Sequence, residues 1–174
     1  MEDVNQIAVQ LDDIFEAVSN FTATCAAKLR KQNSCAAGLM VFIMTNPFRE
    51  NDPQYVNSRH YKLPIPTSCT TELIEYSKKL LAEVYRTGYS YKKAGTIITE
   101  IVPDKPIQGD LFDEVDRDKQ KKLMETVDKI NDSLGTYKIR VASQGYGKKW
   151  KLRNEKLSPC YTTRIDDIIK VKSD

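Results

Sequence analysis

Leu39-Met40-Val41-Phe42-Ile43-Met44-Thr45 is an unbroken uncharged run stopped by Asn46-Pro47. It is far shorter than the ~20 residues a membrane-spanning helix requires. Its β-branched and aromatic content, closed by a turn dipeptide, predicts a buried strand. Downstream, Glu50-Asn51-Asp52-Pro53 is a turn cluster, followed by a second strand from Tyr55 to Leu63 that Pro64 and Pro66 are expected to end. Leu73, Ile74, Leu80, Leu81 and Val84 mark the apolar face of a helix over Thr70 to Arg86, with Gly88 suited to its C-terminal turn. Tyr91 to Val102 reads as a third strand, closed by Pro103 and Pro106.

Upstream, Ile14, Phe15, Val18, Phe21, Cys25 and Leu29 recur at helical spacing. Asp13-Ile14-Phe15-Glu16 reads as the capping box that starts this helix, and Arg30-Lys31 suit its negative end. Val4 to Gln10 could extend the helix or be the stump of a strand. The order helix, strand, strand, helix, strand predicts an α+β fold: an antiparallel sheet of three or four strands with two helices on one face. Such a sheet keeps its other face free for binding.

Beyond Pro106 the pattern changes. Residues 113–122 are almost all charged, then Leu123, Met124, Val127, Ile130 and Asn131 predict a short helix closed by Gly135. Tyr137 to Ala142 alternates like a strand, and Tyr161 to Val171 reads as strand or irregular structure folding back, which makes a small α+β extension. Three segments follow: residues 1–102 as a folded body, 103–114 as a linker and 115–174 as the extension. Net charge is 0 over residues 1–102, −3 over 103–136 and +6 over 137–174, within a total of +3.

The N-terminus carries acid where a secretory signal carries base, so a cytoplasmic location is expected, with Cys25, Cys35, Cys69 and Cys160 as reduced thiols and no membrane partner. One histidine and no C-x-x-C pair make a zinc site improbable, and no metal site is expected. Asp12-Asp13 and Asp166-Asp167 read as a cap and a turn rather than a metal cluster. His60 with a cysteine would serve a small hydrolase, but no local pattern supports that pair, and no glycine-rich phosphate loop is present.

Two features point to binding. Arg59, Lys62, Lys92 and Lys93 fall on strand positions, with Tyr55, Asn57, Tyr61 and Tyr91 interleaved, while most acids of the first 102 residues fall on helices or in the Glu50–Asp52 turn. Cations on a free sheet face would meet phosphates, the dominant source of nucleic-acid affinity. Lys93 shares its face with Gly95 and Ile97, and Gly95 would let a backbone approach closely. The plainer alternative is a solvated sheet face. The second feature is Gln108-Gly109-Asp110-Leu111-Phe112 in the proline-bearing linker, where Leu111 and Phe112 offer adjacent apolar anchors and Gln108 an amide for a pocket rim. The alternative is that both anchors pack back on their own domain. Lys148-Lys149-Trp150-Lys151-Leu152-Arg153 is basic with an aromatic, and reads better as the core of a small subdomain than as a binding patch.

Seven segments in order carry a family resemblance: Lys28-Leu29-Arg30, Thr45-Asn46-Pro47-Phe48, Tyr91-Lys92-Lys93-Ala94-Gly95, Gln108 to Phe112, Leu123-Met124, Ser143-Gln144-Gly145 and Leu157 to Thr163. Over residues 10–172 the chain resembles the C-terminal part of UmuC-type Y-family translesion DNA polymerases. The resemblance implies a little-finger DNA-binding domain in residues 1–102, whose DNA-binding residues would be Tyr55, Asn57, Arg59, Lys62, Lys92, Lys93 and Gly95. It implies a sliding-clamp-binding motif at Gln108, Asp110, Leu111 and Phe112. It further implies primer–template DNA and the clamp as partners, with a UmuD′-like accessory protein and the RecA filament as candidates for the extension. The palm and its metal-binding carboxylates have no counterpart here, so magnesium would belong to the full-length polymerase and this chain alone would need no cofactor and catalyse nothing. The family's first strand is shortened or lost, which would expose a sheet edge. The alternative from another class is a stand-alone module that binds the clamp without touching DNA.

Overall fold

The computed structural model describes residues 11–104, 115–135 and 138–146. Helix α1 (Leu11–Lys31) leads into β1 (Ser34–Thr45), which forms a hairpin with β2 (Val56–Thr67). Helix α2 (Thr70–Val84) and β3 (Tyr91–Pro103) follow, then α3 (Arg117–Leu134) and a 3₁₀ turn at Ala142–Gln144. The sheet order is β2-β1-β3, antiparallel throughout, so the run read first from the sequence is its central strand.

Alternation along β1 separates two faces. Leu39, Val41 and Ile43 point under the helices and are fully buried, joined there by Ile14 and Val18 of α1 and Leu80, Leu81 and Val84 of α2. A second cluster of Ala26, Leu29, Ala36, Leu63 and Leu73 continues the core toward the start of β1. Full burial of each large aliphatic side chain contributes about 1.5–3 kcal/mol, so this side of the sheet holds the two helices in place. All five apolar positions expected on α2 are buried; on α1, Phe21 is instead 37% exposed, and the small residues Ala17, Ser19, Thr22 and Ala26 take the packed face.

The strands exceed their expected bounds. β1 begins five residues early, and its small residues Ser34 to Gly38 are all buried. β2 runs through Pro64 and Pro66 rather than stopping there. β2 is an edge strand, and its register with β1 breaks between Gly38 and Ala36, so neither missing N–H is required by the ladder. Leu63, Ile65 and Thr67 still alternate inward. The chain is already helical at Leu11, the first described residue, so Asp12 and Asp13 lie within α1 rather than at a cap. Asn33, in the left-handed region at φ 52°, ends the helix. Helix α2 ends at Val84, two residues short of Arg86, with Tyr85 as its C-cap.

Helix α3 begins at Arg117, earlier than the apolar pattern indicated, because Asp116 caps it by accepting from the Lys119 N–H at 2.9 Å. Three ion pairs tie it to the end of α1, the start of α2 and the residue after β3. Arg117 reaches Glu72 of α2 at 2.7 Å, Arg30 of α1 grips Asp128, and Lys121 donates to Asp104 at 2.7 Å, which lifts the Lys121 pKa. Residues 138–141 are not a strand; Val141 leads into the 3₁₀ turn. There the Asn20 Nδ2 donates to the Gln144 carbonyl at 2.7 Å, with both side chains buried. The Ser143-Gln144-Gly145 segment is therefore a docking point on α1.

Candidate nucleic-acid interface

Helices α1 and α2 pack on one side of the sheet and the 3₁₀ turn docks on α1, so none of these elements covers the other face. Antiparallel pairing sets out this face in four cross-strand rows. Reading β2, β1, β3 in turn, they are Val56-Met44-Lys93, Ser58-Phe42-Gly95, His60-Met40-Ile97 and Lys62-Gly38-Thr99. Paired residues point to the same side, so these twelve positions share one surface. Val56 is 71% exposed and Ile97 43% exposed. The surface has an apolar middle, with Lys93 at one end and Lys62 at the other.

Two glycines keep it low. A Cβ on Gly95 would stand 2.7 Å from the Phe42 ring carbons, so that ring lies flat across the β3 backbone. A Cβ on Gly38 would collide with the Thr99 hydroxyl and stand 3.0 Å from His60 Nε2. In the space this leaves, His60 Nε2 and Thr99 Oγ1 meet at 2.8 Å, joining the outer strands across β1. Lys62 Nζ lies 4.0 Å from the Glu100 carboxylate, an exposed and weak pairing.

The residues singled out from sequence divide between the two faces. Lys62, Lys93 and Gly95 lie on the open face, and Ile97 joins Lys93 there as the alternation predicts. Lys92 sits at a register break, between Lys93 paired with Met44 and Tyr91 paired with Thr45, and is exposed. Asn57 and Arg59 pair with Ile43 and Val41, which places them on the helix side of the edge strand. There Arg59 reaches Glu83 of α2 at 3.0 Å, and Asn57 donates to the Tyr55 hydroxyl at 2.8 Å. Tyr55 precedes β2, donates to the Val84 carbonyl at 2.8 Å and packs on Tyr89 with ring centroids 4.8 Å apart. Tyr61 stacks on Tyr76 at 5.4 Å and Tyr91 is buried in the core.

His60, Ser58, Thr99, Met40 and Phe42 are open-face residues that the sequence did not single out as ligand contacts. Counting pairs outward from Lys93 would have found them, had the hairpin register been known. Gln108, Asp110, Leu111 and Phe112 lie outside the described residues, as do the 1–10 segment, Trp150 with its flanking lysines, Cys160 and the Tyr161–Val171 stretch. At the tip of the β1–β2 hairpin, Gln54 Nε2 donates to the carbonyls of Asn46, Arg49 and Asp52, and Phe48 stands 90% exposed.

Other chemistry finds no support among the described residues. No group of three His, Cys, Asp or Glu is placed to hold a metal ion. Burial pushes the Cys25 and Cys35 thiols above their usual value, and the nearby Asp104 carboxylate adds to the rise at Cys35. Raised thiols are poor nucleophiles at neutral pH. No described helix is long and apolar enough to cross a membrane.

Comparison with known proteins matches residues 3–111 to the impB/mucB/samB family C-terminal domain and residues 121–171 to a domain of unknown function, DUF4113. Protein ImpB of Salmonella typhimurium is 36% identical over 158 residues, covering 90% of this chain and 37% of its own length. Protein UmuC of Salmonella typhimurium strain LT2 is 34% identical over 162 residues, 92% of this chain and 38% of its own. Protein MucB of Escherichia coli is 34% identical over 154 residues, 88% of this chain and 36% of its own. The chain thus spans just over a third of the length of the curated relatives it matches. An α+β sheet with two helices packed on one side, joined by ion pairs to a third helix, is accordingly the architecture of a chain that belongs to the impB/mucB/samB family.

Proposed function

We propose that this chain is the DNA-binding, non-catalytic part of an error-prone translesion DNA polymerase acting in DNA damage tolerance. The observation that carries the reading is the uncovered sheet face, with Lys62 and Lys93 at opposite ends of a low surface flattened by Gly38 and Gly95. Such a face suits a duplex backbone: cations hold phosphates, the apolar middle lies against sugars, and no group there is committed to a base edge. Backbone grip without sequence reading fits an enzyme that must accept distorted templates. Membership in the family of UmuC, ImpB and MucB supports the same reading. Lys92, at the edge of that face, joins the contacts, while Tyr55, Asn57 and Arg59 reach DNA only where it wraps past the β2 edge.

Gln108, Asp110, Leu111 and Phe112 would tether the polymerase to the sliding clamp, raising its effective concentration at the primer end. Nucleotidyl transfer, with its magnesium, would reside in the rest of the full-length protein. Helix α3 and the segment after it are candidate contacts for a UmuD′-like protein or a RecA filament. The test is fluorescence anisotropy of labelled primer–template DNA with the whole chain at about 50 and about 200 mM salt. Affinity should fall steeply with salt. Absent or salt-independent binding would leave the clamp-only module as the better account.

A further inference from the structure

The chain has one histidine, and the fold places it in the middle of the open face. His60 is exposed, and its Nε2 is fixed 2.8 Å from Thr99 Oγ1 across the space left by Gly38. The charged groups around it are few. On β2 the next residue of the same face is Lys62; β3 supplies Glu100, whose carboxylate lies 4.0 Å from the Lys62 ammonium, and, two rows away, Lys93. β1 contributes only Gly38, Met40, Phe42 and Met44 to this face, and the helices lie on the other side of the sheet.

Resting on the reading of this face as a DNA interface, we propose that His60 is a conditional phosphate contact, engaged when its ring is protonated. Neutral imidazole has a single N–H, and Thr99 can serve it as donor or acceptor. The protonated ring donates from both nitrogens. Nε2–H then donates to Thr99 Oγ1, which fixes the ring plane, and Nδ1–H with the positive charge is available to a phosphate oxygen. DNA binding is thereby coupled to proton uptake, since a protein whose ring is neutral must gain a proton to make this contact. The same surface therefore grips DNA more firmly as pH falls through the imidazole range.

The experiment titrates a rhodamine-labelled primer–template duplex with the whole chain at about pH 6 and about pH 8, on either side of the ordinary histidine value. Wild type should bind several-fold more tightly at the lower pH. One added phosphate contact steepens the salt slope by about 0.9, so this advantage should shrink about 3-fold between about 50 and 200 mM salt. His60→Gln keeps a hydrogen-bonding group beside Thr99 without the charge, and should lose the pH dependence. Adding duplex at the lower pH should also shift the ¹H signal of the His60 ring. Salt-dependent binding at pH 8 with the same pH response in wild type and His60→Gln would overturn this role while leaving the interface intact. Loss of salt-dependent binding at both pH values would overturn the interface itself and the His60 role with it.

Discussion

Arg30 on α1 and Asp128 on α3 form a two-bond ion pair, Nε to Oδ2 at 2.6 Å and Nη2 to Oδ1 at 2.7 Å. The remaining Arg30 nitrogen, Nη1, donates to the Ser68 carbonyl at 2.7 Å and the Thr70 hydroxyl at 3.0 Å. One guanidinium thus joins the end of α1, the start of α2 and the middle of α3. The family match to residues 3–111 and the separate match to residues 121–171 meet at this contact.

Because the Arg30 side chain is only 12% exposed, breaking the pair leaves a charge poorly solvated. Arg30→Ala or Asp128→Asn should destabilise the chain by about 2–3 kcal/mol in urea unfolding. Arg30→Lys should recover little of this, since an ammonium cannot make the forked contact. Changes within about 0.5 kcal/mol would mean that α3 is held by other contacts.

Gly95→Ala places a methyl group into the Phe42 ring. The ring must swing up from the sheet, at a cost of about 1–3 kcal/mol. In a Phe42→Ala background the same substitution should be nearly neutral, a non-additivity read from thermal or urea unfolding. Additive effects would contradict the flattened geometry.

Placement on opposite faces separates two arginine and lysine substitutions that look equivalent in sequence. Lys93→Ala should weaken duplex binding and lower the salt slope by about 0.9. Arg59→Ala, on the helix side and paired with Glu83, should change the slope by less. An Arg59 effect larger than that of Lys93 would put DNA on the helix layer instead.

Alkaline pH should loosen the fold. Cys25 and Cys35 are raised above the usual thiol value of 9.0, chiefly by burial, and Tyr76 and Tyr91 above the usual phenol value of 10.0 for the same main reason. The folded state therefore holds these protons to higher pH than the unfolded chain does. Their stabilising contribution is present below the unfolded values and is lost as pH rises through the folded ones. Urea midpoints should be level near neutrality and fall from about pH 9 upward. In the same way, iodoacetamide should label Cys25 and Cys35 slowly in the native protein and rapidly in urea. Rapid native labelling at neutral pH would contradict the protected thiols.

Sequence patterns that depend on neighbours a few residues apart were legible. The Leu39–Thr45 run, the apolar face of α2 and the alternation of Lys93, Gly95 and Ile97 all reflect short-range periodicity imposed by one core. The Pro64 and Pro66 reading failed because proline stops a strand only where its missing N–H is needed, and the edge register there does not need it. Arg59 and Lys62 were grouped because β2 is polar on both sides; an edge strand gives no hydrophobic alternation to tell its faces apart. Over residues 138–141 the strand expected from the Tyr137–Ala142 alternation gives way to local bonds between Asn131 and Ile139 and to docking of Gln144 on Asn20, 124 residues away. No local pattern announces that contact, nor the Arg30–Asp128 pair.

The open face can be read directly through methionine. Met40 and Met44 lie on it, whereas Met124 lies on α3 and is 5% exposed. With methyl-¹³C methionine, addition of primer–template DNA should shift the Met40 and Met44 signals and leave Met124 in place. DNA binding that moves Met124 alone, or neither open-face methyl, would contradict the assignment of this sheet face to nucleic acid.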